Sequence, residues 1–201
     1  MNHAILDLQY KNELYGPITS CAESSVREFI SSVILACAKI SKDVSLVTER
    51  EIIGKRGNGP LDYAMLYKKY FIIITEAKKD NLEKGVVQNL AQLVASREEF
   101  LYTTSNLNNK RKYMDMAADI FEVPSTGVVS TGKEWLLIRY VLHPEPAVYR
   151  SAPFLLPLLG GSPEEMKRHL IILISKLLGA IDLQKRLVDT YTNLKVQKTE
   201  H

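Results

Sequence analysis

The fold is decided by the stretch GPLDYAMLYKKYFIIITEAK, at positions 59–78. Two strand-like runs, 62–67 and 70–76, flank a pair of lysines, and this arrangement predicts a β-hairpin. The second run contains FIII without alternation of polar and apolar residues, which is typical of a central strand buried on both faces. The stretch therefore predicts the centre of a sheet, with charged residues at one edge.

The hairpin brings charged side chains together. Asp62 begins the first strand and Glu76 ends the second, 14 positions later. Because side chains alternate along a strand, Glu76 and Lys78 point the same way and Ala77 points into the opposite layer. When two carboxylates lie close together in a partly buried site, the pKa of one of them rises or a cation is required. Mg²⁺ suits them, since it prefers oxygen ligands and shares them with phosphates, which indicates phosphodiester chemistry.

Each of these residues also has a plainer explanation. Asp is common after a proline turn, and charged residues often end strands where the chain meets water. The combination is more specific: Pro60, Asp62, Glu76 and Lys78, followed by Gln88, resembles the PD-(D/E)XK nuclease superfamily. The chain departs from the name of that motif by one leucine between the proline and the aspartate.

The resemblance covers roughly 22–141 and is most similar to nuclease-like domains of fungal and oomycete proteins, including those linked with Crinkler-type effectors. It implies a restriction-endonuclease-like α/β (α+β) fold with an αβββαβ core, in which a central mixed sheet is flanked by helices. The predicted elements match that order: a helix at 21–41 capped by Ser20, a strand at 44–53, the hairpin, helices at 82–102 and 114–121, strands at 125–129 and 134–142, and a terminal helix opened by Ser162.

Length and composition favour one domain over the whole chain, 1–201. With 201 residues and 46% hydrophobic residues, the chain can bury one sizeable core. We expect that core at 22–142, an N-terminal arm or packing segment at 1–20, and a C-terminal helix at 163–193. Prolines at positions 144, 146, 153 and 157 predict an irregular region.

Cysteine spacing and hydropathy limit the classes of protein. Cys21 and Cys37 lie too far apart for a CxxC motif, so we expect buried free thiols. No secretory signal is evident, which predicts an intracellular protein of nucleus or cytoplasm. The apolar block 170–181 is too short to cross a bilayer, so no membrane partner is expected. The net charge of +3 neither proves nor excludes a polyanionic substrate.

The resemblance also implies roles for individual residues. Asp62 and Glu76 would hold Mg²⁺ or Mn²⁺, with the backbone carbonyl of Ala77 as a further ligand. Lys78 would position the attacking water or stabilise charge on the phosphoryl oxygens. Asp62, Glu76 and Lys78, together with Gln88, are the predicted catalytic residues.

Two helices supply further candidates. Glu23 lies on the apolar face of the first helix and resembles an acidic residue that reaches toward the metal in the superfamily; alternatively it is a helix-terminal Glu favoured by the dipole. Gln88 is predicted to contact the water, the metal shell or the DNA backbone. Gln92, one turn further on, is predicted to point toward solvent and is a weaker candidate for nucleic-acid contact.

Nucleic acid is the predicted partner, with DNA favoured over RNA. Lys55, Arg56 and Lys79 are candidates for phosphate contacts, although each is equally explained as a solvated charge. The alternative to a nuclease is a catalytically silent module that binds nucleic acid or protein on the same fold. The terminal helix is apolar nearly all round, which predicts burial in its own core or in a homodimer.

Overall fold

The computed structural model describes residues 2–54, 58–105, 125–141, 145–158 and 162–199. Its helices are α1 (Asn2–Tyr15), α2 (Glu23–Ser41), α3 (Leu82–Ser105) and α4 (Pro163–Thr199), with a 3-10 turn at Ile18–Ser20. Its strands are β1 (Ser45–Thr48), β2 (Glu51–Ile53), β3 (Asn58–Pro60), β4 (Tyr63–Tyr67), β5 (Tyr70–Ala77), β6 (Ser125–Ser130), β7 (Glu134–Val141), β8 (Ala147–Arg150) and β9 (Phe154–Leu155).

The main sheet of the described chain is mixed. Its strands follow the order β1-β4-β5-β6-β7-β8, and β9 also pairs with β7. Only the β5–β6 pair is parallel, and α3 lies in the connection between these two strands, as parallel pairing requires a long crossover. Glu76 is therefore opposite Val129, and Ala77 opposite Ser130, so that the carboxyl ends of both central strands meet at one edge of the sheet.

Helices cover both faces of this sheet. α3 packs against β5 and β6 on one face, where its residues bury Ile74, Ala64 and Val129. α2 and α4 pack on the other face, and α1 lies against α2. The larger apolar core lies on this second side, where α2 buries apolar residues at helical spacing, namely Val26, Phe29, Ile30, Val33, Ile34 and Cys37. The predicted α/β architecture with a central mixed sheet and a C-terminal helix is confirmed.

The hairpin formed by β4 and β5 is confirmed, and its turn has an unusual composition. Lys68 and Lys69 have φ angles of 49° and 72°. Both angles lie in the left-handed region that the favoured two-residue hairpin turns require and that Gly or Asn adopts more readily. Strand β5 is buried from Ile72 onward, as its apolar run predicts.

Three predictions about the elements need correction. Residues 2–15 form a helix, because Ala4 and Leu8 bury against α2 despite the weak apolar periodicity of the segment. α2 begins at Glu23 after Ala22, so Ser20 is not its cap. The predicted strand at 44–53 is two strands, since the chain leaves the main sheet after β1 and β2 pairs with β3 in a separate two-stranded sheet.

The C-terminal half holds another correction. The proline-rich region contains β8 and β9, which both pair with β7, because its prolines lie outside the paired residues. β6, β7 and the terminal helix are confirmed, and Ser162 accepts a hydrogen bond from the Glu165 backbone N–H at 3.1 Å. The predicted helix at 114–121 lies outside the described residues.

One face of α4 is buried in the protein's own core, as expected. The apolar residues on that face include Met166, Leu170, Leu173, Ile174, Leu177 and Ile181. Ile171 and Ile172 stay 37% and 41% exposed, and a homodimer through this helix stays a prediction. Cys21 and Cys37 are buried and free, as expected. Within the described ranges, no helix combines the length and hydropathy that crossing a membrane demands.

Candidate active site

Asp62 lies at the point where the chain passes from the small sheet into the main sheet. The backbone on either side is fixed, because the Leu61 N–H donates to the Arg50 carbonyl at 3.0 Å and the Glu49 N–H donates to the Asp62 carbonyl at 3.2 Å. The side chain turns toward β5, where Oδ2 accepts a hydrogen bond from the Ala77 N–H at 2.7 Å. Asp62 is only 8% exposed, so its carboxylate lies inside the protein at the edge of β5.

Glu76 and Lys78 lie on the α3 side of the same edge. Lys78 Nζ donates to Glu76 Oε1 at 2.5 Å, and both side chains are buried. The Lys78 N–H donates to the Ser130 carbonyl at 2.9 Å, which extends the parallel β5–β6 pairing by one bond. Ala77 is buried in the core on the opposite face. The alternation predicted from the sequence is confirmed, and it places the lysine against the carboxylate.

Gln92 on α3 completes the surroundings of Glu76. Its Nε2 donates to Glu76 Oε2 at 2.7 Å and to the Pro60 carbonyl at 3.3 Å. Gln92 is buried, and its Oε1 has no hydrogen-bond partner among the residues that the structure describes. The prediction that Gln92 points toward solvent is wrong. Gln92 connects α3, the strand end at Pro60 and the carboxylate of Glu76.

Gln88 lies one turn earlier on α3 and is exposed. The structure does not bring it to the carboxylates; it lines a groove of about 310 Å³ between α3 and the small sheet, together with Gln92, Pro60 and Ile52. Sequence analysis oriented this helix by its apolar residues alone. The buried side of α3 is rich in polar residues, and these are Asn89, Gln92, Ser96 and Arg97.

Arg27 on α2 is a site residue that sequence analysis missed. Its Nη2 lies 2.9 Å from Asp62 Oδ1, while its guanidinium is 3.8 Å from the Glu23 carboxylate and 4.0 Å from that of Glu49. One signal was present, since Arg27 follows Glu23 by four positions and shares its side of the helix. The pairing with Asp62 could not be found, because it depends on how α2 lies across the sheet.

Burial determines the acid–base behaviour of the two carboxyls. Burial raises the pKa of Asp62, by more than the Ala77 N–H, Arg27 and Lys78 lower it. Burial also raises the pKa of Glu76; the Lys78 hydrogen bond opposes this, and the charge of Asp62 adds to it. The charge of Asp62 therefore reaches Glu76 across the hairpin, as expected for carboxylates that lie close together.

The donor set suits a hard divalent cation. Asp62 and Glu76 supply carboxylate oxygens, and Gln92 Oε1 is a buried acceptor without a partner, a situation that calls for a water or an ion. Mg²⁺ is commonly held by one or two carboxylates, with waters and phosphate oxygens in the other positions. In the described ranges, no group of three or more His, Cys, Asp or Glu side chains could hold a metal ion. The residues therefore fit Mg²⁺ only as a site of two carboxylates, in which water and phosphate oxygens fill the remaining positions.

The other predicted residues are more peripheral. Glu23 is half-buried and its charge contributes to the raised pKa of Asp62, but its ion-pair partner is Arg27. Lys79 is exposed on the segment after β5. Lys55 and Arg56 lie outside the described residues. Thus Asp62, Glu76 and Lys78 are brought together as predicted, with Gln92 and Arg27 as neighbours.

Comparison with known proteins supports the fold. No protein-family model and no curated protein matches the sequence. Among solved structures, the chain is similar to the type IIG restriction endonuclease BpuSI, with a TM-score of 0.51 and 10% sequence identity over 84% of this chain. The match spans 17% of the length of that enzyme. At this identity the similarity shows the fold alone, and it confirms the restriction-endonuclease-like fold predicted from the sequence; it does not bear on Crinkler-type effectors.

Proposed function

We propose that this chain is a metal-dependent nuclease that hydrolyses phosphodiester bonds. Asp62 and Glu76 would hold Mg²⁺ or Mn²⁺, with the Ala77 carbonyl as a candidate ligand, and the bound cation would supply Lewis-acid activation of water and phosphate. Lys78 would donate to the attacking water or to the phosphoryl oxygens. Gln92 would orient Glu76 by donating to Oε2.

One observation carries this proposal. A lysine lies on the same strand face as a buried glutamate, 2.5 Å from it, and a second buried carboxylate, just before the neighbouring strand, accepts a hydrogen bond from the residue between them. Burying two acids costs folding free energy, and such groups tend to lie where chemistry needs them. The similarity to the fold of a restriction endonuclease supports the assignment.

The finer parts of the proposal rest on resemblance. DNA is favoured over RNA as substrate, because the similar solved structure is described as a restriction endonuclease. A role like that of Crinkler-type effectors, in nucleus or cytoplasm, stays a prediction from the sequence. Glu23 is retained as an outer acidic residue, Gln88 as a residue of the adjoining groove, and Lys79 as a candidate phosphate contact.

The test is turnover on defined substrates. The purified protein is incubated with labelled single- and double-stranded DNA and RNA, in Mg²⁺, in Mn²⁺ and in chelator. We expect cleavage that needs a divalent cation and that is lost in both Glu76→Ala and Lys78→Ala. Cleavage that persists in chelator, or a Glu76→Ala protein as fast as the wild type, would refute the assignment.

A catalytically silent binding module is the second candidate, and one observation favours it. Every oxygen of the two carboxylates already faces a donor or a cation: Asp62 has an ion pair with Arg27 and a hydrogen bond from the Ala77 N–H, and Glu76 has hydrogen bonds from Lys78 and Gln92. Such a site is stable without a metal. A folded wild-type protein that binds nucleic acid and yields no product with any cation would support this alternative.

A further inference from the structure

Arg27 has a position that the proposed nuclease activity does not explain. It belongs to α2, and its Nη2 lies 2.9 Å from Asp62 Oδ1, where the two groups form an ion pair. The side chain is 38% exposed, whereas Asp62 is only 8% exposed. Arg27 is therefore the more exposed partner of this ion pair. Its Nε is buried and has no hydrogen-bond partner in the described part of the chain.

Charge balance indicates what the guanidinium does there. Ionised Asp62 and Glu76 contribute two negative charges to this cluster, and buried Lys78 and half-buried Arg27 contribute two positive charges. The cluster is thus neutral without a metal. A divalent cation bound between the carboxylates would leave it with two excess positive charges, which a buried site tolerates poorly.

A second pair of acids lies ready on the outer side of Arg27. Glu23 is 3.8 Å and Glu49 is 4.0 Å from its guanidinium, and their side chains are 41% and 80% exposed. Both form ion pairs longer than the 2.9 Å contact with Asp62, so Asp62 is the nearest of the three acids to the guanidinium. Both are close enough to receive it after a small change of side-chain rotamer.

We propose that Arg27 is a resident counter-ion of Asp62, which a divalent cation displaces toward Glu23 and Glu49. This inference rests on the proposed function, because it assumes that Asp62 is a ligand of the cation. Arg27 is thereby a positioning residue: it keeps Asp62 in place before the cation binds and competes with the cation for Oδ1. A purely structural Arg27, which only ties α2 to the sheet, would not compete.

The experiment measures metal binding and not turnover. Mn²⁺ is titrated by calorimetry into wild type, Arg27→Gln, Arg27→Lys and Asp62→Asn, each checked for cooperative thermal unfolding. Arg150→Gln is the matched control, since Arg150 forms an ion pair with the exposed Glu83, far along the sequence from Asp62. Repulsion between the guanidinium and a nearby cation should weaken the affinity for Mn²⁺ about fivefold, even at the dielectric constant of water.

We expect Arg27→Gln to bind Mn²⁺ at least about fivefold more tightly than wild type. Arg27→Lys and Arg150→Gln should stay close to wild type, and Asp62→Asn should lose binding. Unchanged or weaker binding by Arg27→Gln overturns the proposal, as does absence of Mn²⁺ binding in both proteins. If Arg27→Gln fails to fold, nitrogen NMR of the Arg27 side chain in wild type decides: a Mg²⁺-dependent shift supports displacement, and no shift overturns it.

These outcomes separate the two proposals. Wild-type cleavage with an unchanged affinity of Arg27→Gln would keep the nuclease and remove the counter-ion role. Tighter binding by Arg27→Gln, in a protein that cleaves no nucleic acid, would keep the counter-ion role and remove the nuclease.

Discussion

Replacement of Gln92 by methionine tests a contact that the structure shows and the sequence pattern did not predict, the hydrogen bond from Gln92 to Glu76. Gln92→Met keeps the length of the side chain and removes both N–H donors, so that Glu76 Oε2 loses its partner at 2.7 Å. A hydrogen bond to a charged group contributes about 1.5–3 kcal/mol. We therefore expect the free energy of unfolding to fall by about 2 kcal/mol, because the buried carboxylate is left partly unpaired.

Activity should fall with stability, for a separate reason. Without Gln92, Glu76 is held only by Lys78 at Oε1, and a carboxylate that rotates loses its alignment with the reacting groups. We expect a metal-dependent cleavage rate about 10- to 100-fold below wild type. The rate should also reach its plateau at higher pH, since the Gln92 hydrogen bond lowers the pKa of Glu76.

The assay combines urea unfolding with cleavage kinetics. Trp135 is the one tryptophan of the sequence and is fully buried, so its fluorescence reports unfolding of the sheet. Gln88→Met is the matched control: it lies one turn away on the same helix, is exposed, and should change stability by less than about 0.5 kcal/mol. Wild-type stability and pH profile in Gln92→Met, or losses confined to Gln88→Met, would refute the reasoning.

Three further predictions follow from the hairpin, the sheet and the acids. Lys69→Gly should raise the free energy of unfolding by about 1 kcal/mol in urea, because φ is 72° there; a decrease would contradict this. Gly127→Ala should lower the thermal midpoint markedly, since its Cβ would lie 1.7 Å from Asn89 Oδ1, and an unchanged midpoint would contradict that packing. In chelator, the free energy of unfolding should fall as pH rises from about 4 through the raised pKa values of Asp62 and Glu76. The reason is that the folded protein keeps these two protons to higher pH than the unfolded chain does. Urea midpoints of the wild type that rise over this pH window would contradict the prediction.

The central hairpin could be predicted because its signals are local. The apolar run before Glu76 and the period of a strand place Glu76 and Lys78 on one face, whatever the rest of the chain does. The residues of α3 that pack on that face of the strand were harder to predict. α3 buries the polar residues Asn89 and Gln92 against the sheet. A helix orientation derived from apolar residues alone therefore turns Gln92 toward solvent and makes Gln88 the predicted site residue.

Longer-range features could not be read from the pattern. The strand predicted at 44–53 divides because its second half pairs with β3 in the small sheet, and residue types do not encode that change of partner. Arg27 reaches Asp62 only because α2 crosses the sheet edge at that point. The helix at 2–15 has little amphipathic pattern and is held by a few buried contacts.

The most direct test of the account is a comparison of two glutamate-to-glutamine substitutions. Glu76→Gln removes the buried charge with little change of shape, whereas Glu83→Gln changes an exposed glutamate that pairs with Arg150. With Mg²⁺ and labelled nucleic acid, we predict that Glu76→Gln lowers the cleavage rate at least about 100-fold and that Glu83→Gln leaves it unchanged. Equal cleavage by wild type and Glu76→Gln would contradict the claim that this carboxylate serves phosphodiester hydrolysis.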